Sequence, residues 1–487
     1  MTKPKIIRGA GAPPPPSAPP QPTRTPDTLH SRQFATLMDL ISEGEIEGFA
    51  SASKAGLTKG TTAYNNAALK DVFLNDTAVL QASADNSSPA STDFNFQDVT
   101  FDPRFGTSDQ THINGIESSE SLQTVGVNVT KASPVTRSIT NTNIDAVKVT
   151  ITFPQIQVAT SSGDLLGSSV NLQIQVQYNS GGFTTLIDDT VTGRTADAYQ
   201  KEYRVTLTGA FPVDIKVVRV TDDPTDASTV NTFQFTSFSE IVDDKQTYLN
   251  SAYASLRIDS QQFSSIPKRK YRIRGIKVRI PGAGASSSGT PTVNSTTGRI
   301  VYPDGYIFNG VMGAAQWCSC PSMILLDLLT NVRYGFGDHI TDSNLDLFSF
   351  VTASKYANTL VSDGLGGQEA RFSCNVNIQN SNEAFDLINE LAGVMRCIPI
   401  WSAGSITLSQ DSPKDSSYIF SLANVGEGGF NYSGSSLKAR HSVVSASYYN
   451  MDSQEVDFEV VEDSTLIAKI GTVVKQVKAF ACTSRGQ

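Results

Sequence analysis

The strongest hydrophobic pattern in the sequence lies between residues 137 and 242, where apolar and polar side chains alternate. The stretches 147–153, 170–178, 203–207 and 213–220 place apolar residues at nearly every second position. A period of two is typical of strands that bury one face and expose the other. Gly, Pro and Asp residues, which favour turns, separate these stretches. The pattern therefore predicts a β-sandwich in this part of the chain.

The residues before the sandwich carry weaker patterns. The segment 34–44 has a mixed period and ends at Gly44, so that a short helix and a strand both fit it. Residues 72–74 are strand-like, and the turn-forming pair Asn75-Asp76 follows them. Residues 82–130 are polar and irregular, and they predict few regular elements.

Strand patterns resume at residues 247–281. Within 270–280 the apolar positions slip by one residue at Gly275. Because such a slip turns every following side chain to the other face of a sheet, Gly275 is predicted to form a β-bulge that restores the register.

From about residue 316 the pattern is mixed α/β. Pro321 suits the first turn of a helix with apolar residues at 323–329, and a second helix is predicted from about 345 to 361. Asn380 and Glu383 resemble a capping box that opens a third helix. The predicted inward positions of this helix are Phe385, Leu387, Ile388, Leu391 and Met395.

Strands predominate again near the end of the sequence. Residues 397–401 and 406–408, with a turn between them, predict a hairpin. Residues 441–480 alternate as strands do, with one short helical stretch near 462–470. In fold class, the chain is therefore predicted to be mainly β with some α/β, in several domains.

Residues 1–33 form a separate Pro-rich segment. They contain nine of the 22 prolines, and five Lys or Arg residues against the single acid Asp27. Such a composition predicts an extended, polyproline-like arm that has no core of its own. Two alternatives stay open: a tail without fixed structure, and an arm that lies across a neighbouring subunit.

Length and composition limit the class of protein. A chain of 487 residues is expected to form roughly three to five domains. The net charge of −9 argues against a dedicated nucleic-acid binder, which needs a basic surface. Five cysteines among apolar neighbours suggest buried thiols formed in a reducing compartment. The sequence contains no membrane-spanning run or signal peptide, so synthesis in the cytoplasm is expected.

The residue types that carry chemistry do not form a recognisable catalytic or metal motif. Cys318-x-Cys320 is one residue short of the usual zinc spacing, so that two buried thiols are the simpler interpretation. Glu43, Glu45 and Glu47 could serve a glycan hydrolase, but a solvated or interface turn fits better. No catalytic, cofactor-binding or metal site is predicted.

One charged segment stands out, because bases follow one another there without an acid. Its residues are Lys268, Lys270, Arg272, Arg274, Lys277 and Arg279. On a strand interrupted by a bulge at Gly275 they would share one face. Such a basic strand either pairs with acidic residues of a neighbouring element, or faces a lumen or an acidic partner. The second interpretation makes these six residues the candidate site.

Several short blocks in the sequence resemble those of one known family. In chain order they are residues 40–48, 327–337, 363–369 with 374–375, 395–401, 437–441, 461–463 and 482–487. In content and order they resemble the tail-tip, host-specificity protein J family of lambda-like long-tailed phages. The resemblance covers about residues 34–48 and 131–487.

The resemblance implies a hub built from tube-like β-barrel domains with an inserted sandwich. On this basis the expected domains are a first hub barrel at 34–84 plus 246–315, an inserted sandwich at 85–245, a mixed α/β hub domain at 316–410, and a second β hub domain at 411–487. The family continues after the last block into fibronectin-type modules and a receptor-binding fibre. Binding of the host receptor is therefore expected from regions beyond these residues.

The resemblance also implies a function and partners. A homotrimeric, non-enzymatic hub would close the distal end of the tail tube, adapt a sixfold tube to a threefold tip, connect to the central fibre, and open for DNA ejection. The implied partners are the distal tail protein, other tip proteins, the C-terminus of the tape measure and, transiently, viral DNA. The implied location is the tail tip of the virion. The alternatives are a tail-associated glycan-degrading enzyme and a secreted adhesion module.

Overall fold

The computed structural model describes residues 23–31, 34–113, 118–379, 384–402, 404–434, 436, 439–451 and 453–487. The predicted capping box at Asn380 and Glu383 lies outside these ranges, as do residues 1–22. The chain divides into two compact units. The sandwich unit comprises Met1–Leu37, His112–Gln246 and Arg257–Ser265, and the second unit comprises Met38–Thr111, Thr247–Leu256 and Ile266–Gln487.

The first part of the chain contains short elements joined by tight turns. In order they are β1 (Phe34–Glu43), β2 (Ile46–Phe49), α1 (Ala50–Lys54), α2 (Thr62–Leu69), β3 (Val72–Leu74), β4 (Thr77–Ala78) and β5 (Thr100–Phe105). The ambiguous segment 34–44 is thus a strand. Asn75 and Asp76 have φ of 47° and 67°, which are the left-handed values of a two-residue hairpin turn. They join β3 to β4, as their residue types predict.

The predicted β-sandwich is present, with two four-stranded antiparallel sheets. Its elements are β6 (Ser118–Val129), β7 (Val135–Ile139), β8 (Ala146–Phe153), β9 (Gln157–Ala159), β10 (Leu165–Leu166), β11 (Ser168–Tyr178), β12 (Phe183–Gly193), β13 (Tyr199–Thr206), β14 (Val213–Arg219), β15 (Thr229–Val230) and β16 (Phe233–Asp243). The sheets have the orders β12-β11-β14-β7 and β13-β8-β16-β6. Val147, Val149, Ile151 and Phe153 of β8 are fully buried between them.

Strand β6 corrects the expectation of few regular elements in residues 82–130. It is twelve residues long and pairs with β16 at the edge of its sheet. Most of its described side chains are exposed, including Leu122. An exposed edge strand is held by its backbone ladder, so its sequence needs no alternating apolar pattern.

The described end of the Pro-rich segment lies against the sandwich of its own chain. The backbone N–H of Thr25 donates to Leu165 O over 3.0 Å, and that of Thr28 donates to Arg194 O over 2.9 Å. The Arg194 guanidinium binds Thr25 O at 2.8 Å and also the Asp27 carboxylate. For residues 23–31, this placement differs from both alternatives that the sequence left open.

The strands that follow the sandwich complete the second unit with β2 to β5, apart from residues 257–259 of β17, which are grouped with the sandwich unit. They are β17 (Ser251–Asp259), β18 (Arg269–Tyr271), β19 (Ile273–Pro281), β20 (Thr292–Val293), β21 (Ile300–Val301) and β22 (Met312–Trp317). The sheets have the orders β1-β17-β5, β18-β3-β4, β2-β19-β22 and β20-β21. Among the described residues none of these sheets closes into a barrel, so the chain is mainly β as predicted but without the expected barrels.

The predicted β-bulge at Gly275 is wrong. Strand β19 pairs with β2 in one unbroken register, since Arg274 faces Gly48 and Ile276 faces Ile46. The chain is instead interrupted at Arg272, between β18 and β19. Within the unbroken β19, Ile273 lies on the side opposite to Ile276, Val278 and Ile280, so the apolar positions change face without a bulge.

The α/β part begins with α3 (Pro321–Thr330) and α4 (Leu347–Ala357), followed by β23 (Leu360–Ser362), β24 (Gln368–Ala370), α5 (Ala384–Val394), β25 (Cys397–Ser402) and β26 (Ser405–Gln410). Helix α3 starts at Pro321 as predicted. Helix α4 is shorter than predicted, because the strand β23 begins three residues after it. Leu387, Leu391 and Met395 are buried as predicted, but Phe385 is 72% exposed, so its predicted inward position is wrong.

The last elements are β27 (Val443–Asn450), β28 (Glu455–Glu462), α6 (Ser464–Ile470) and β29 (Val474–Lys478). They match the predicted strands with one short helix. The helices and strands α3, α4, α5, β19 and β26 enclose one apolar core, which includes Cys318, Cys320, Cys374 and Cys397. These four cysteines are buried free thiols, as predicted. No helix in the described part of the chain is both long and apolar enough to cross a membrane.

The structural units begin and end at other residues than the expected domains. The expected sandwich domain started at residue 85, whereas Met38–Thr111 belongs to the second unit. Leu80 forms a β-bridge with Phe94, and the N–H of Asn95 donates to Val79 O over 3.0 Å. These contacts hold residues 93–95 against the turn after β4, within the second unit.

Candidate functional site

The basic strand segment is the predicted site, and acidic side chains pair with four of its six cations. Lys270 forms an ion pair with Asp76. Arg272 binds Asp71 at 2.7 Å. Lys277 binds Glu45 at 2.7 Å and approaches Glu47 at 3.8 Å. Arg279 makes a bidentate pair with Asp342, at 2.7 and 2.8 Å.

Pairing with neighbouring acids was one of the two interpretations of this segment. The structure brings such acids to Lys270, Arg272, Lys277 and Arg279, from residues spread between 45 and 342. Lys268 is exposed, and its backbone N–H donates to the Asn75 side chain over 2.9 Å. Most of the charge is therefore balanced within the chain. That the strand also faces a lumen or a partner stays a prediction.

The six cations do not share one face. Because β19 has no bulge at Gly275, Arg274 lies on the same side as Val278 and Ile280, and all three are buried. Lys277 and Arg279 lie on the opposite side. The guanidinium of Arg274 stands 4.4 Å from the centroid of the Trp317 ring, and burial lowers the pKa of Arg274. Arg274 is therefore part of the packing of the sheet.

Sequence reasoning missed Arg269, which makes the most complete ion pair of the segment. Its guanidinium binds both carboxylate oxygens of Asp39, at 2.5 and 2.8 Å, and the Tyr271 hydroxyl donates to the same group over 2.6 Å. Burial alone would raise the pKa of Asp39, but these hydrogen bonds hold it below its usual value. The signal was available, because Asp39 stands between the apolar pairs Leu37-Met38 and Leu40-Ile41 of β1.

The Asp71 carboxylate is the most buried acid of this network, with no exposed surface. It accepts the backbone N–H of Ser51 at 2.5 Å, the Ser51 hydroxyl at 2.9 Å and Nε of Arg272 at 2.8 Å. Burial raises its pKa in spite of these donors. Asp71 thus links α1 to the break between β18 and β19.

The acidic cluster Glu43, Glu45 and Glu47 has no free carboxylate pair. Glu43 binds Arg333 at 2.6 Å, and the other two carboxylates face Lys277. A glycan hydrolase needs one carboxyl kept protonated beside a second carboxylate. All three carboxylates are instead engaged by cations of the same unit, as a structural turn requires.

The structure shows a second candidate surface, which is apolar and which sequence reasoning did not identify. More than half of the large apolar side chains that are exposed in the described residues lie after residue 375. Most of them belong to the hairpin β25–β26, to the segment 411–434, which has no helix or strand, and to β28. The segment includes Tyr418, Ile419, Phe420, Leu422 and Tyr432. The signal was its apolar run in an otherwise polar, Gly-rich stretch.

Exposed apolar area on this scale is typical of a surface that contacts another molecule. Monomeric proteins rarely expose contiguous apolar patches larger than a few hundred Å². A buried aromatic side chain covers roughly 150–250 Å². Trp401, Tyr418, Phe420 and Tyr432 are each more than 60% exposed, and the rings of Tyr418 and Phe420 are in contact, with centroids 4.9 Å apart. We call residues 384–478 the apolar region.

Comparisons with known proteins agree with the sequence resemblance. Residues 119–244 match the family model of the FNIII-A domain of tip attachment protein J. The tip attachment protein J of Escherichia phage SECphi27 is 29% identical over 86% of this chain, and that of Escherichia phage SECphi4 is 28% identical over 88%. The resemblance to the tip attachment protein J family is confirmed.

The FNIII-A match in the J family coincides with the sandwich, since β6 begins at Ser118 and β16 ends at Asp243. The chain spans about a third of the length of the J relatives, at 34% and 35%. Among solved structures, one described as "CBM4 structure and function" is 13% identical and covers 37% of this chain, and 99% of its own length, at a TM-score of 0.14. At that score the likeness supports no conclusion.

Proposed function

We propose that this chain is a structural component of a phage tail tip. The observation that carries the proposal is the alignment of two tip attachment proteins J with 86% and 88% of the chain. The match extends across both structural units, well beyond the FNIII-A domain. A chain related over this length is expected to serve the same assembly as its relatives.

The distribution of apolar surface supports a role in assembly. The apolar region exposes Ile398, Ile400 and Trp401 on one hairpin and Val456 and Phe458 on a strand. Exposed apolar and aromatic side chains are enriched where proteins contact one another. The ion pairs around β18 and β19 meanwhile tie distant parts of the second unit together, which suits a protein under mechanical load.

In the finer form of the proposal, three copies form a hub that closes the distal end of the tail tube. The hub adapts a sixfold tube to a threefold tip and opens for DNA ejection. Its partners are the distal tail protein, other tip proteins and the C-terminus of the tape measure, and host attachment depends on other regions of the J protein. The role is structural rather than catalytic, and the location is the tail tip of the virion.

The mass of the purified chain in solution tests the proposal. Light scattering coupled to size exclusion is expected to give three times the 52.2 kDa of one chain, and a density map of the assembled tip is expected to place three copies around the tube axis. A chain that stays monomeric at every concentration, in a tip without threefold density, would contradict the hub.

A further inference from the structure

The sheet near the end of the chain has two open edges. Strand β27 lies in the centre, paired antiparallel with β28 and parallel with β29. Among the described residues no further strand pairs with the outer side of β28 or β29. All five residues of β29 and seven of the eight residues of β28 are exposed. Open edges of this kind present backbone groups that can pair with another strand.

The backbone of β28 shows which groups point outward. The N–H of Phe458 donates to the side chain of the preceding Asp457 over 2.8 Å. In an antiparallel ladder alternate residues turn their N–H and C=O groups to opposite sides. Val456, Phe458 and Val460 therefore direct their backbone groups to the open edge. Their side chains are also exposed, at 61%, 61% and 51%.

The two edges carry opposite charge. Strand β28 contains Glu455, Asp457, Glu459 and Glu462 and no base, whereas β29 contains Lys475 and Lys478 and no acid. Arg485 binds Glu459 at 2.7 Å, which leaves the other three acids to give β28 its negative charge. Charged residues on an open edge prevent unselective pairing. Here they also select a partner, since like edges repel and unlike edges attract.

The strand directions fit pairing between unlike edges of two copies. Because β29 runs with β27 and β28 runs against it, β28 and β29 are antiparallel to each other. If the copies are related by rotation about an axis parallel to the strands, each strand points the same way in every copy. The β28 edge of one copy would then meet the β29 edge of the next in antiparallel orientation, and the contact repeats head to tail into a closed ring.

We propose that β28 of one copy pairs with β29 of a second copy of this chain, so that the sheet continues from subunit to subunit around the ring. The inference rests on the proposed hub, because it names the surfaces through which the copies meet. A second copy is the occupant that supplies both complementary edges at once. A twofold dimer through β28 alone would place acids opposite acids and is disfavoured.

Charge reversal in this chain tests the pairing. The variants are Lys475→Glu with Lys478→Glu, Glu455→Lys with Glu462→Lys, and all four changes together. No ion pair or side-chain hydrogen bond within the described chain involves these four residues. Each double variant is expected to weaken association roughly tenfold or more, because attraction at each junction becomes repulsion. The fourfold variant restores unlike edges and is expected to recover most of the association.

The control is Lys54→Glu with Lys131→Glu, which makes the same change in net charge as the lysine variant at exposed positions outside this sheet; Lys131 pairs with the exposed Asp222, so the loss of that pair is expected to cost little. Association is measured by light scattering over a concentration series, and circular dichroism checks that each variant is folded. Amide exchange in residues 455–462 and 474–478 is expected to slow when native copies associate. If the native chain associates while both double variants behave as the control does, the edge pairing is wrong and the hub stands. If the native chain does not associate, the hub itself fails.

Discussion

The side chain of Asp71 shows how a single charge is kept in the interior of the second unit. It has no exposed surface, and among the described residues the cation that binds it is Arg272, whose side chain is 39% exposed. Removing one partner of a buried pair leaves an uncompensated charge, which costs more than the pair contributes. The same strand offers a contrasting pair, Arg279 with Asp342, in which both side chains are partly exposed.

We expect Arg272→Met to destabilise the second unit by about 2–3 kcal/mol at pH 7, somewhat less than a fully enclosed pair because water screens Arg272. Arg279→Met, the matched control, is expected to cost about 0–1 kcal/mol. Both tryptophans, Trp317 and Trp401, lie in the second unit, so urea unfolding followed by tryptophan fluorescence reports on this unit. Equal effects of the two changes would contradict the buried pair.

The loss of unfolding free energy caused by Arg272→Met is expected to depend on pH. Burial raises the pKa of Asp71 in the folded chain, so the folded state holds its proton more tightly than the unfolded state. Stability from this group is therefore lost as the pH rises from about 3.8 through the folded pKa. Without Arg272 the folded pKa rises further. The difference in unfolding free energy between native and variant is thus larger at pH 7 and shrinks as the pH falls through the two folded pKa values, both of which lie above 3.8.

At the scale of the elements, the packing of the segment 23–31 against the sandwich depends on one glycine. Gly193, at the end of β12, has φ +152°. A Cβ atom there would stand 2.6 Å from Oγ1 of Thr28 and 2.8 Å from Cγ of Leu29. Since Leu29 packs against the sandwich core, the absence of a side chain at residue 193 lets the segment approach the strands.

Gly193→Ala is expected to displace residues 23–31 from the sandwich while the sandwich itself stays folded. Trypsin should then cleave after Arg24 several times faster than in the native chain, and the amides of Thr25 and Thr28 should exchange faster. Gly182→Ala is the control, because Gly182 also has positive φ, +101°, but has no atom within 4 Å of the added Cβ. Unchanged cleavage after Arg24 in the Gly193 variant would refute this packing.

At the scale of the whole molecule, the exposed side chains of the apolar region are expected to affect association between copies and not the stability of the single chain. Tyr418, Phe420 and Leu422 are 62%, 69% and 84% exposed, so they contribute little to the folded single chain. A side chain that gains its apolar contacts in an assembly acts on association and hardly on folding.

We expect the triple change Tyr418→Ser, Phe420→Ser and Leu422→Ser to weaken self-association at least tenfold and to leave the stability of the chain within about 0.5 kcal/mol. Light scattering and urea unfolding measure the two effects. Leu122→Ser, Val127→Ser and Leu186→Ser form the control, three exposed apolar residues of the sandwich unit. Association that responds to the control as strongly as to the triple change would refute the special role of this region.

The sequence by itself determined the local elements and the family resemblance. Alternation in residues 137–242 was enough to predict the sandwich. Pro321 was enough to predict the start of α3, and Asn75-Asp76 to predict a turn. These signals act between neighbours along the chain. Ordered blocks such as residues 40–48 and 395–401 were enough for the resemblance to the J family. None of these inferences required knowledge of distant contacts.

Only the tertiary structure decided which acids pair with the basic residues and which strand edges stay open. The basic segment offered two interpretations because its acidic partners, from Glu45 to Asp342, are distant in sequence. Phe385 was misplaced because helical spacing marks an apolar position but not whether anything packs against it. The register of β19, the edge strand β6 and the open edges of β28 and β29 depend on pairing between strands, and backbone pairing leaves little trace in side-chain pattern.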